Sequence, residues 1–104
     1  MSRDPDAATQ LARALIASAG AAGCPVAIAE ADLTRWASVT FAGARHMLTL
    51  TGAACPALSR WIAALPEAEF ALRGHLVADL SVEAIRRDGA EMRVMLEVLT
   101  VEER

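Results

Sequence analysis

At 104 residues and 11.0 kDa the chain has room for a single domain, residues 1–104, with one modest core and no separate cofactor domain. The net charge of −3 combines 13 acidic residues with ten scattered arginines, which leaves no electrostatic footprint for a nucleic acid partner. Arg13 and the break at Gly23-Cys24-Pro25 interrupt the apolar run from Leu11 to Ala31, so no membrane span is expected there.

The first element is a helix. Asp4 is placed as its N-cap, with Pro5 at the first helical position and Asp6 complementing the dipole. Ala8, Leu11, Ala12, Leu15 and Ala19 recur on one face until Gly20 and Gly23 stop the pattern. The same stretch, "LIASAGAAGC", imitates a lipoprotein signal ending at Cys24, but Asp4 and Asp6 stand where such a leader needs basic residues. Two cysteines make at most one bridge, and Lys, Asn and Tyr are absent in a way that fits a GC-rich genome. The expectation is therefore a reduced, cytoplasmic bacterial protein, with lipoprotein export as the minor alternative.

Alternation then replaces the helical period. A strand is expected from about Val26 to Ala31, a polar corner at Asp32, and a second strand from Thr34 to Ala42. Reading Gly43-Ala44 as a two-residue loop pairs Phe41 with His46, Val39 with Leu48 and Ala37 with Leu50 on one apolar face. Trp36, Met47, Thr49 and Thr51 fall on the other. "CPALSRWIAAL" reads as a second helix with Pro56 in its first turn and a stripe of Leu58, Trp61, Ile62 and Leu65.

A long fourth strand follows from Phe70 to about Ile85, with a bulge or bend at Gly74, and a fifth from Ala90 to Val101. A three-residue loop, Arg87-Asp88-Gly89, keeps the faces unmixed and pairs Val82 with Val94, Leu80 with Leu96 and Ala78 with Val98. Leu76, Ala78, Leu80 and Val82 then face the core, while Arg73, His75, Val77, Asp79, Arg93, Met95, Glu97 and Leu99 face away. The expected fold is an α+β two-layer sandwich: a mainly antiparallel five-stranded sheet with two helices on one face, in the order α-β-β-β-α-β-β.

Chemistry finds few footholds in this pattern. His75 and Asp79 stand about 13 Å apart along an extended strand, too far for a dyad. His46 and His75 fall on opposite faces, so a two-histidine metal site fails unless a bulge flips one strand, and neither metal nor cofactor is expected. Asp79 facing Glu97, and Cys55 at the start of the second helix, are the two weak catalytic candidates, with a structural role favoured for both.

What remains is the second sheet face. Trp36, Met47 and Met95 sit there among Arg73, His75, Asp79, Arg93 and Glu97, a set rich in the residue types found at protein interfaces. The leading expectation is a non-catalytic homodimer or protein-interaction module using this face or the long last two strands. The alternative is an anion-binding site there, with Arg45, Arg73 and Arg93 as ligands and Trp36 as a wall.

Overall fold

The computed structural model describes residues 6–103, so the expected cap at Asp4 and Pro5 lies outside the described residues. Helix α1, Ala7–Ala21, is capped by Asp6, whose Oδ1 accepts the Thr9 N–H at 2.8 Å. Strands β1 (Val26–Ala37) and β2 (Ala42–Ala53) form a hairpin, and helix α2 (Pro56–Ala64) with a 3-10 turn (Leu65–Glu67) leads to β3 (Ala71–Leu72), β4 (His75–Asp88) and β5 (Glu91–Glu102). All pairs are antiparallel and the sheet order is β1-β2-β5-β4-β3. The fold class is as expected from the sequence, while the strands divide as two and three around α2 rather than three and two.

The difference arises at two glycines. Expected as a turn residue, Gly43 instead lies inside β2, paired with Trp36, and the hairpin turns at Ser38–Phe41. There the Ser38 N–H donates to the Phe41 carbonyl at 2.7 Å, and the Ser38 hydroxyl oxygen accepts the Phe41 N–H at 3.1 Å. No corner forms at Asp32, because Asp32 pairs with Met47 and points to solvent from an uninterrupted strand. Gly74, at φ +78°, is the second case: it closes a tight turn that splits the expected fourth strand into β3 and β4, with Leu72 opposite His75. Gln10 of α1 clamps this turn, its Nε2 donating to the Arg73 carbonyl at 2.9 Å and its Oε1 accepting the Arg73 N–H at 2.6 Å.

The β4–β5 loop is Gly89-Ala90, with Asp88 opposite Glu91, one residue shorter than expected. A bulge on β4 at Glu83 then resets the parity so that Val82 meets Leu96 and Leu80 meets Val98, and a second at Ala78 shifts it again. A bulge at Ala29 does the same on β1.

The core forms between the helices and one sheet face. Leu11, Leu15 and Ala19 of α1 and Leu58, Trp61 and Ile62 of α2 pack on Leu48, Leu50, Leu80, Val94, Leu96 and Val98. Each such buried aliphatic side chain contributes about 1.5–3 kcal/mol of transfer free energy. The Trp61 indole N–H donates to Ser18 Oγ at 2.9 Å, tying the two helices together. Among the described residues no helix covers the opposite face of the sheet.

Candidate functional site: the uncovered sheet face

Side chains on the uncovered face follow from pairing parity, since residues directly opposite each other share a face. Trp36, Met47, Asp79, Arg93, Met95 and Glu97 all lie on it. His75 and Arg73, expected with them, do not. The Ala78 bulge shifts the phase of β4, so His75 and Val77 turn to the helix side and Leu76 turns outward, 55% exposed. Arg73 sits in the turn held by Gln10, where it helps line a groove along α1.

The three arginines of the anion-site expectation are thus dispersed. Arg45 stands beside Trp36, Arg73 is on the helix side, and Arg93 pairs with Arg86 six positions along β5 from Leu99, about 20 Å away at the extended rise. Asp79 faces Leu99 rather than Glu97, because the hairpin turns at Gly89-Ala90 and the Glu83 bulge offsets only part of the resulting shift. Glu97 is opposite Ser81, and its Oε2 lies 3.4 Å from Arg45 Nε. This half-exposed pair is worth under about 1 kcal/mol, so its role is to hold both side chains down on the sheet.

At one end of the face Trp36 lies over Gly43, where the missing side chain leaves space for the indole. Thr34, Trp36, Arg45 and Leu99 border a hollow of about 440 Å³. Next to it Val101, Leu76 and the loop residue Phe41 continue the apolar surface, and Met47 and Met95 extend it the other way, each about 40% exposed. Leu76 and Phe41 were assigned to the core face from the sequence; the Ala78 bulge turns Leu76 outward, and Phe41 lies in the hairpin loop.

The opposite side of the sheet carries a second group of polar residues. His46, 2% exposed, and His75 share the helix-covered side at the end where α1 begins, contrary to the parity expected from the sequence. A cleft of about 90 Å³ there is lined by Asp6, Arg35, His75, Thr100 and Glu102 among others. Thr100 Oγ1 is hydrogen-bonded to His46 Nε2 at 2.9 Å and lies 3.4 Å from the Ala44 carbonyl oxygen. Burial pushes the His46 pKa down, the neighbouring His75 pushes it the same way, and the Asp6 carboxylate opposes them. Among the described residues no group of three or more His, Cys, Asp or Glu is arranged to hold a metal ion.

The thiols are separate. Cys24 is buried, with its pKa raised by desolvation, its Sγ 3.5 Å from the Ala19 carbonyl it donates to. Cys55 is half-buried as the N-cap residue of α2, and it packs against the core. The arrangement that gathers the most side chains of one character is the uncovered face.

No helix of the described residues is long and apolar enough to cross a membrane. Comparison with known proteins adds no relative: no family model matches the chain, and no curated protein and no solved structure matches it.

Proposed function

We propose that this protein is a non-catalytic interaction module whose working surface is the uncovered face of the sheet, taking another protein or a second copy of the chain. The observation that carries the reading is the gathering of Trp36, Met47, Met95, Leu99, Val101 and Leu76 on one sheet face, crossed by the Arg45–Glu97 pair, which no helix of the described residues covers. Large apolar side chains gathered on one open face among charged residues are a usual mark of an interaction site. The sheet edges support the face rather than strand addition. Edge strand β1 is bulged at Ala29, and β4, which the two-residue edge strand β3 pairs only at His75 and Leu76, is bulged twice; both carry charges, and these are devices that discourage edge pairing. Strand β5 is internal, so it offers no edge.

Selection of peptides from a random library on the immobilised chain tests the reading, run in parallel on a Met47→Glu/Met95→Glu variant, with light scattering to register self-association. Enrichment or self-association that the variant loses supports it. A monomer with identical enrichment on both proteins contradicts it.

A second reading rests on the hollow beside Trp36. Arg45 at its wall, with Leu99 and the indole, suits a small apolar carboxylate. Saturable binding of such a compound, weakened at least tenfold by Arg45→Ala, supports this reading; unchanged affinity in that variant removes it.

A further inference from the structure

The charges on the uncovered face are not randomly placed. Glu30 and Asp32 on β1 and Asp79 and Glu83 on β4 all point to this side and are all exposed. Glu83 is held there by the Ser81 hydroxyl, which donates to its Oε2 at 2.8 Å. Between these strands run β2 and β5, which offer Met47, Thr49, Met95 and Leu99, with Glu97 facing Arg45. Arg86 and Arg93 sit toward the hairpin tip beside Asp88 and Glu91, two cations against two anions. The middle of the face is therefore a floor of Met47, Met95 and Leu99, crossed by the neutral Arg45–Glu97 pair, between two acidic rails.

The dimensions of this trough match one kind of occupant. Strands β1 and β4 are three spacings apart in the sheet, about 14 Å at the usual inter-strand distance, and an α-helix with its side chains is about 10–12 Å across. Strands β2 and β5, which form the floor, are 12 residues each, about 40 Å at the extended rise, enough for a helix of about 20 residues, which spans about 30 Å. A helix laid here would complete a third layer over a sheet that has helices on one side only. We propose that the face takes a basic amphipathic helix from a partner protein, with the apolar stripe on Met47, Met95 and Leu99 and the basic flanks against the β1 and β4 carboxylates. A second copy of the chain is the poorer occupant, because face-to-face packing sets acidic rails against acidic rails.

This inference rests on the uncovered face being the interaction surface. It is tested with a dye-labelled helical peptide of about 20 residues, long enough to span the face, with leucines on one side and lysines on both flanks. The controls carry glutamate in place of lysine, or serine in place of leucine. Anisotropy gives the affinity, and Trp36 emission reports the site, with Trp36→Phe removing that signal.

Binding of the Lys-flanked peptide alone, weakened at least tenfold by Asp32→Lys/Asp79→Lys and weakened by added salt, is the expected result. All four rail residues are exposed, and circular dichroism confirms that the variant remains folded. Equal binding of Lys- and Glu-flanked peptides overturns the acidic rails while leaving the face as an interaction surface. Failure of both peptides with a chain that dimerises through Met47 and Met95 assigns the face to a second copy and likewise overturns the inference. A chain that is monomeric and binds none of the peptides removes the inference, and the library selection then decides the broader reading independently.

Discussion

Trp36 and Gly43 are directly opposed across the β1–β2 hairpin, and the indole Cζ2 lies 2.8 Å from where a Gly43 Cβ would stand. That same Cβ would run into the Thr100 carbonyl oxygen on β5. The glycine is therefore required by close approach from two neighbouring strands, not by its backbone angles. Its absent side chain is what lets the indole lie low and keeps the apolar face flat.

Gly43→Ala is expected to destabilise the fold by about 2–4 kcal/mol, because the obstructing atom is backbone and cannot swing aside. Gly20→Ala provides the contrast. Nothing lies within 4 Å of the added Cβ and the residue is helical, so the variant should gain about 0.5–1 kcal/mol. Urea denaturation of both variants checks the pair, and equal effects would refute the close-approach account.

The parity of side chains along the strands was only partly legible in the sequence. Helices α1 and α2 and the core face of β5 follow from spacing alone, because Leu11, Leu15, Leu58, Ile62, Val94, Leu96 and Val98 recur at the right period and are buried. Bulges carry no such mark. Ala78 and Glu83 are ordinary residues whose extra length shows only once β5 is in place, so His75, Val77 and Leu76 were assigned to the wrong sides. Gly43 and Gly74 were both visible as glycines, but a glycine is consistent with a turn, a bulge or a close approach until its neighbours are known. Of the expected face, the residues on β1, β2 and β5 and Asp79 on β4 were legible from alternation, whereas Arg73 and His75, beyond the Ala78 bulge, were not.

The pH dependence of stability should carry the signature of His46. Its folded-state pKa lies below the ordinary value of 6.5, so the unfolded chain binds the proton more readily. Its contribution is present in full above that value and is lost as pH falls toward the folded-state pKa. The groups facing it are His75, whose charge adds to the loss, and Asp6, which moderates it. Asp6, also depressed, loses its contribution only below the ordinary carboxylate value of 3.8. Denaturation midpoints from pH 8 to pH 5 should fall in the wild type, and fall less in His46→Gln; parallel curves would rule His46 out as the source.

Gln10 joins the first helix to the β3–β4 turn through both backbone groups of Arg73. Gln10→Ala should cost about 1 kcal/mol for two exposed hydrogen bonds. The more direct readout is local: amide exchange at Arg73 should accelerate while exchange in β5 is unchanged. Uniform acceleration across the sheet would show that the clamp supports the whole fold instead.

The two tryptophans should respond oppositely to the same substitution. The Trp61 N–H donates to Ser18 Oγ at 2.9 Å within the helix layer, so Trp61→Phe removes a hydrogen bond and leaves a hydroxyl with one partner fewer. A loss of about 1–2 kcal/mol is expected. The Trp36 Nε1 is buried against the sheet without a hydrogen-bond acceptor among the described residues. Phenylalanine keeps an aromatic ring over Gly43 and deletes a donor that has nothing to bond, so Trp36→Phe should be neutral or stabilising by up to about 1 kcal/mol. Thermal or urea denaturation of the two variants decides the matter. A Trp36→Phe variant as destabilised as Trp61→Phe would mean that the Trp36 N–H finds an acceptor in solution, and that this end of the face is already occupied by a bonded partner.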